Sequence, residues 1–388
     1  MRLAVWMPFA RAAGELAWFC GAAVGAETAR RLSEAAGAAL VALETAEAAR
    51  PAAQTPPPPA GPRVQQLSAD GALVPLVGGA WAEVKTVAVG EVVAARGADG
   101  APVIRTTDAS CFARLADHAA FGRLALVETH RRGTETAGTV VAVTDGSEWL
   151  QGFVDLHRPD AVRVLDFPHA VEHLNAAAQA CFGEGAPAAV AWLDQQATEL
   201  KDGDPDRVLA ALRALPTGRA ADPAAAAQAR DATLGYLAKR REQIAYARFR
   251  ARGFPIGSGM VESANKTVVE QRLKGAGMHW DRGSVDPMLA LRCAVCNDRW
   301  DATWPGVARR LRAPAPGPRR ARRPPGLSAH QASRPRRAPP RPRVRVAPPP
   351  ADRPKKIVAG RPTAAHPWAT AARRGAERKA ARPPSAKT

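Results

Sequence analysis

The sequence predicts an α/β protein with a mixed sheet, flanking helices and a large all-helical insertion. Short runs rich in β-branched and apolar residues at 64–71, 139–144 and 161–165 predict strands. The stretch 81–94 alternates apolar and polar residues, as an antiparallel meander at a sheet edge does. Residues 186–252 are rich in Ala, contain no strand pattern and predict the helical insertion.

Charge divides the chain into a neutral body and a basic C-terminal segment. The protein has 388 residues, enough for about two domains and tails, and a net charge of +19. Residues 305–388 contain 23 Lys and Arg but 2 Asp and Glu, which leaves 32 basic and 34 acidic residues in 1–304. We expect 305–388 to be a Pro/Arg-rich disordered tail. Its charge indicates a polyanionic partner, most simply nucleic acid, although a solvated extension without a role has the same composition.

Compartment follows from cysteine usage and hydropathy. No run approaches the roughly 18 apolar residues that a membrane span needs, so we expect no membrane association. Five scattered cysteines without a secretory signal favour a reducing, cytoplasmic location. Cys293 and Cys296 lack a second ligand pair, so we expect both to pack as small apolar side chains.

Residues 1–50 predict a small helical segment with helices at 10–20 and 26–49. A glycine-containing turn separates them, which is compatible with a DNA-binding helix-turn-helix whose second helix enters the major groove. An Ala-rich helical hairpin without DNA contacts has the same pattern. The proline-rich stretch 51–63 predicts a linker and a domain boundary.

The second domain is expected to span 64–304 and to contain the insertion 186–252. Its first strand is predicted to end at Asp70-Gly71, and 105–113 is predicted to be a loop before a helix at 116–130. A strand ending at Asp145 follows. The next strand ends at Asp166, two residues before a proline that suits the first turn of a helix. Residues 285–302 predict the last helix of the domain.

Three carboxylates are predicted to reach one end of this sheet. Asp145 follows a buried strand, where open α/β sheets place their chemistry, although an Asp-Gly that follows a strand is, taken alone, more often only a turn. Asp70 ends another strand, and Glu262 lies in the first turns of a helix. Like charges at this spacing repel, and two Mg²⁺ (or Mn²⁺) ions would offset them. Two such metals activate water or a 3′-hydroxyl against a phosphodiester, so the constellation predicts phosphoryl transfer on nucleic acid.

Basic and glycine-rich residues surround the predicted Glu262 helix. The turn at 257–259 either is a simple tight turn or brings backbone close to a phosphate at a helix N-terminus. Lys266, Arg272 and Lys274 follow it and are candidate phosphate contacts. A solvated helix face would also carry such residues.

Six segments taken in order resemble the DDE transposases of the ISKra-type insertion-sequence family and, more distantly, the Mutator-type transposases. The resemblance extends over roughly residues 5–304. The segments are Ala69-Asp70-Gly71-Ala72, Asp145-Gly-Ser-Glu-Trp149, Asp166-Phe-Pro-His169-Ala-Val-Glu172-His173-Leu174, Gly257-Ser-Gly-Met-Val-Glu262-Ser-Ala-Asn-Lys266, Arg272-Leu-Lys-Gly-Ala-Gly-Met-His-Trp280 and Leu289-Ala-Leu-Arg292-Cys-Ala-Val-Cys-Asn297-Asp-Arg-Trp300.

The resemblance implies an RNase H-like catalytic domain in which Asp70, Asp145 and Glu262 are the first, second and third catalytic, metal-binding carboxylates. It implies that Asp166 and His169 position DNA or the scissile phosphate. The implied activity is metal-dependent cutting at transposon ends and joining of the 3′-hydroxyls to target DNA. The implied partners are terminal inverted repeats, target DNA and further copies of the chain assembled on DNA.

The resemblance leaves alternatives open. Similar proteins carry more sequence before the position that matches Met1, so we expect an N-terminally shortened chain with weaker recognition of transposon ends. A non-catalytic DNA-binding protein derived from a transposase is one alternative. An RNase H-like nuclease without strand transfer is another. Retention of all three acidic residues favours an active enzyme over the first of these.

Overall fold

A five-stranded mixed sheet positions the acidic residues. The protein is described by a computed structural model that covers residues 1–313 except 51, 98, 99, 101 and 219, together with 357–358 and 361–362. The strand order is β3-β2-β1-β4-β5; β1, β2 and β3 are antiparallel, whereas β4 and β5 run parallel to β1. The predicted mixed α/β class is thus confirmed. The strands are β1 (Val64–Pro75), β2 (Trp81–Arg96), β3 (Pro102–Arg114), β4 (Thr139–Thr144) and β5 (Val162–Leu165).

The register between β1 and β4 brings two acidic positions level. Their parallel ladder includes the pair Leu67 and Ala142. Asp70 and Asp145 each lie three residues beyond that pair, so they are level with each other along the direction of the two strands. Strand β1 does not end at Asp70 as predicted, because its antiparallel pairing with β2 continues to Pro75.

Strand β3 corrects the predicted loop at 105–113. It pairs with β2 along most of its length, with a bulge at Val89 and Glu91. Its polar run at Thr106, Thr107 and Asp108 lacks strict alternation because β3 is an edge strand, and much of it faces solvent. Cross-strand pairing therefore determines the strand where the local pattern does not.

Helices cover both faces of the sheet. Helices α4 (His118–Arg131) and α5 (Glu148–His157) pack on one face, where Phe121 and Leu150 contact the β1 residue Leu67 and its neighbours. The opposite face of β1–β3 is covered by the C-terminal helices, and β4 and β5 are covered by the insertion.

The N-terminal helices belong to the same compact unit as the sheet, which spans Met1–Gly317. They are α1 (Arg2–Trp6), α2 (Phe9–Cys20) and α3 (Ala26–Ala48). Helices α2 and α3 agree with the helices predicted at 10–20 and 26–49, whereas α1 was not predicted. Helix α3 lies against a C-terminal helix so closely that a Cβ at Gly37 would overlap the Pro287 backbone. The proline-rich stretch 51–63 therefore joins two parts of one unit and is no domain boundary.

The remaining helices form the insertion and the C-terminal layer. The predicted single helix at 285–302 is two helices, because the Asn297 side chain bonds to the Cys111 backbone and Asp298 has a φ of 54°. The second of them continues through Pro305 to Arg312, so the first part of the predicted tail is helical. The elements are α6 (Phe167–Phe182), α7 (Pro187–Asp202), α8 (Pro205–Arg213), α9 (Pro223–Lys239), α10 (Tyr246–Ala251), α11 (Gly259–Ala264), a π-helix (Asn265–Glu270), α12 (Gln271–Leu273), α13 (Arg282–Cys296) and α14 (Trp300–Arg312), with 3₁₀ turns at Ala52–Gln54 and Arg241–Ile244.

Most of the predicted tail, from 314 onward, lies outside the described residues. Two short antiparallel strands are described there, β6 (Ile357–Val358) and β7 (Arg361–Pro362). Within the described parts of the chain, no helix combines the length and apolar character needed to cross a bilayer.

Candidate active site

The three carboxylates predicted from the sequence line one cavity of about 300 Å³. Asp70 comes from β1, Asp145 from the turn after β4 and Glu262 from α11. Asp166 and His169 line the same cavity. The other lining residues are Ala69, Pro168, Glu172, Ser258 and Val261.

Asp70 is half-buried and held by two hydrogen bonds. Its Oδ1 accepts from the Gly71 N–H at 2.7 Å, and its Oδ2 accepts from Asn265 Nδ2 at 2.9 Å. Burial raises the pKa of Asp70, and repulsion from Asp145 and Glu262 adds to the rise, against the two hydrogen bonds. The folded chain thus keeps a carboxylate where its charge is disfavoured, which is typical of a site that binds a cation.

Asp145 lies on a turn that only glycine can complete. Gly146 has a φ of 77°, and a Cβ there would lie 2.5 Å from Arg240 Nε. The Asp145 Oδ1 accepts from the Ser147 N–H at 2.8 Å. Helix α9 of the insertion reaches this turn, where Tyr236 donates to the Asp145 carbonyl and Arg240 donates to the Gly146 carbonyl. Sequence analysis missed both contacts, since they join positions more than 90 residues apart.

Glu262 is exposed and precedes an irregular helical segment. Its Oε1 lies 3.3 Å from Ser258 Oγ. The π-helix that follows begins with Asn265, whose side chain reaches Asp70, so the irregular turn links two of the carboxylate-bearing elements. Buried Arg292 donates to the carbonyls of Thr267 and Val268 within the π-helix. This donation stabilises the unusual backbone next to the site.

Asp166 has a structural role at the cavity wall. It is 5% exposed, and its two oxygens accept from the backbone N–H groups of Ser258, at 2.6 Å, and His169, at 3.1 Å. Burial raises its pKa, and repulsion from Glu262 adds to the rise against these bonds. Asp166 therefore caps the N-terminus of α6 and connects the 257–259 turn to that helix. The backbone N–H of Ser258 is used in this contact. The predicted role of Asp166 in positioning DNA or the scissile phosphate stays a prediction, and the residue lines the cavity with both oxygens bonded to backbone N–H groups.

His169 lies half-buried at the cavity rim. Its Nδ1 is 3.5 Å from a Glu172 oxygen, and its ring meets that of His173 edge to face at 4.9 Å. It therefore remains available to contact a substrate phosphate, whereas its motif partner Asp166 acts on the backbone.

The predicted phosphate contacts separate into different environments. Lys266 is exposed, and Lys274 is exposed and paired with Glu270 at 2.8 Å. The prediction for Arg272 is corrected because this residue is 2% exposed. Its guanidinium lies between the rings of Phe9 and Trp280, 4.8 and 4.9 Å from their centroids, so it cannot contact DNA in this fold.

Carboxylate oxygens are the ligands that Mg²⁺ and Mn²⁺ prefer, so Asp70, Asp145 and Glu262 fit such an ion by donor chemistry. No group of three His, Cys, Asp or Glu side chains among the described residues is close enough together to form a metal cluster. One oxygen of each of the three carboxylates accepts instead from a neighbouring N–H or O–H group.

No protein-family profile matches the chain, and no curated protein is significantly similar to it. We therefore infer the function from the residues of the cavity.

Proposed function

We propose that the protein is a DDE transposase with an RNase H-like catalytic domain, which cleaves DNA at transposon ends and transfers the 3′-hydroxyl ends into target DNA. The observation that carries the proposal is the shared cavity of Asp70, Asp145 and Glu262, which are up to 192 positions apart in the sequence. The mixed five-stranded sheet, with helices on both faces and an insertion between Asp145 and Glu262, is compatible with the architecture that the resemblance implies.

Five residues of the cavity have a task in this proposal. Asp70, Asp145 and Glu262 hold two divalent metal ions, Mg²⁺ or Mn²⁺. When bound, the ions would activate the attacking water or 3′-hydroxyl and stabilise the leaving oxygen. His169 contacts the scissile phosphate from the rim. Asp166 positions the 257–259 turn and therefore the start of α11, which carries Glu262.

A cleavage and joining assay with Asp145→Asn tests the proposal. DNA carrying the sequences that flank the gene is incubated with the full chain and Mg²⁺ or Mn²⁺. We expect nicking and strand transfer by the wild type, and a loss of about 10³-fold in Asp145→Asn because a metal-binding charge is removed.

Glu148→Gln is the matched control, since Glu148 is an exposed carboxylate three residues further on that pairs with Lys239 at 3.4 Å. It should cut and join like the wild type. Equal cutting by Asp145→Asn would overturn the site assignment. Cutting without joining would indicate a nuclease, and DNA binding without cutting would indicate a non-catalytic derivative.

A further inference from the structure

The carbonyls of the Asp145 turn need hydrogen-bond donors that the sheet does not supply. The last ladder bond beside β4 runs from the Asp166 N–H to the Thr144 carbonyl at 2.7 Å. Beyond that bond, among the described residues, neither β1 nor β5 continues its ladder to the carbonyls of Asp145 and Gly146. Buried carbonyls without donors are costly, so another element must supply them.

The helical insertion supplies these donors from the end of α9. The Tyr236 hydroxyl donates to the Asp145 carbonyl. The Arg240 guanidinium donates to the Gly146 carbonyl through Nη2 at 2.7 Å and Nε at 3.2 Å. Arg240 also bonds through Nη1 to the Tyr236 carbonyl at 3.0 Å, so the two residues act as one unit.

Two neighbouring groups pack against the Tyr236 ring. The Arg240 guanidinium lies 3.8 Å from the ring centroid, and the His173 ring stacks on the ring at 4.0 Å with an angle of 21°. Burial, with His169 and Arg240 nearby, lowers the pKa of His173, so a neutral imidazole faces the ring and the nearby guanidinium.

We infer that Tyr236 and Arg240 are positioning residues through which the insertion sets the place of Asp145, and thereby the affinity of the cavity for divalent metal. This inference rests on the proposed function, since it takes Asp145 to be a metal ligand. Neither side chain lines the cavity, so both act through the Asp145-Gly146 backbone. Partners of this kind behind a metal ligand contribute about 10–100-fold in metal affinity or activity.

Mn²⁺ titration of the full chain tests the inference without DNA. Calorimetry and the rise in unfolding temperature with Mn²⁺ are compared for the wild type, Tyr236→Phe and Arg240→Lys. Tyr236→Phe keeps the stacked ring and removes only the donor, and Arg240→Lys keeps the charge and removes the two-nitrogen contact. We expect both variants to need about tenfold more Mn²⁺ for half-saturation. Their cleavage should show the same displaced Mn²⁺ dependence, with metal-free DNA binding unchanged.

Arg230→Gln is the matched control on the same helix. Arg230 donates to the Leu215 carbonyl at 3.4 Å and pairs with Asp231, away from the cavity. It should bind Mn²⁺ like the wild type. Two results would overturn this inference alone. In the first, Tyr236→Phe and Arg240→Lys both bind Mn²⁺ as tightly as the wild type. In the second, Arg230→Gln weakens Mn²⁺ binding as much as they do. A wild-type chain that binds no Mn²⁺ would overturn the proposed function and this inference together.

Discussion

The acidic cavity and the buried arginines next to it differ in the groups that surround their charges. Arg292 is fully buried and donates to the carbonyls of Val5, Thr267 and Val268. Arg272 is nearly so, and it donates to the Ala4 carbonyl between two aromatic rings. In the cavity, by contrast, the charges of Asp145 and Glu262 disfavour that of Asp70. The arginine charges are stabilised within the fold by backbone carbonyls and aromatic rings, against the burial that lowers the pKa of both residues. In the proposed function, the acidic charges are offset by a cation from outside the fold.

The two regions meet on one helical segment. The stretch from α11 to α12 carries Glu262 toward the cavity and offers its π-helix carbonyls to Arg292 on the other side. Arg272 and Arg292, the arginine layer, therefore hold the helical segment from which Glu262, the proposed third catalytic carboxylate, projects. The comparison predicts that changes in the arginine layer cost stability, whereas changes in the cavity affect function and can even increase stability.

The largest effect should come from Arg292→Gln. The substitution removes a buried guanidinium and leaves carbonyls of α1 and the π-helix without donors, which we expect to lower the free energy of unfolding by about 3 kcal/mol. Urea unfolding followed by circular dichroism measures this value. Arg309→Gln, at an exposed position on α14, should change it by less than about 0.5 kcal/mol. Equal effects of the two substitutions would contradict the distinction between the regions.

The opposite sign is expected for Asp70→Asn. Because burial and repulsion raise the pKa of Asp70 in the folded state, the wild type loses stability as the pH rises through that value. The amide that replaces the carboxylate in the variant is uncharged and avoids this loss. The side-chain amide of Asn265 can rotate by half a turn so that its Oδ1, which is buried without a partner among the described residues, accepts from the new amide. We expect a gain of about 1 kcal/mol at pH 7, equivalent to about 2 °C in unfolding temperature.

The gain should shrink at acidic pH, where the wild-type Asp70 is protonated. Unfolding temperatures in EDTA at pH 7 and pH 4 measure both values, with Glu148→Gln as a control that gains nothing. Loss of stability in Asp70→Asn at pH 7 would show that the carboxylate is a structural group like the buried arginines. Mg²⁺ should stabilise the wild type more than Asp70→Asn.

An element can be predicted from the sequence where its own residues show a clear local pattern. The β-branched run 139–144 and the Asp-Gly that follows it are sufficient to predict a strand with an acidic residue at its end. Strand β3 could not be predicted in the same way, because its polar edge acquires strand structure only from pairing with β2. The role of Tyr236 could not be predicted either, because nothing in the sequence of α9 indicates a hydrogen bond to the carbonyl of a residue 91 positions earlier.

Arg272 shows a second limit of the sequence. In a regular helix, the spacing of Arg272 from Glu262 and Lys266 would determine which face of the helix it lies on. The π-helix at Asn265–Glu270 rotates every later residue around the helix axis, so this spacing no longer applies. Arg272 thereby turns inward to Phe9 and Trp280, whereas Lys266 and Lys274 remain outside. A basic residue in a motif is thus equally able to bind a phosphate or to hold a fold together, and burial decides between the two.

The smallest effect sharpens this last distinction. Lys266→Gln should weaken DNA binding only slightly and reduce the slope of log K against log salt by about 1, because one phosphate contact is lost. Its unfolding temperature should equal that of the wild type, since the side chain is exposed. Arg272→Gln should do the reverse, with lower stability and an unchanged slope when DNA binding is measured below its unfolding temperature. A reduced slope in Arg272→Gln would mean that the 272 side chain leaves its aromatic sandwich to meet DNA, and the separation of a structural arginine layer from a functional surface would then fail.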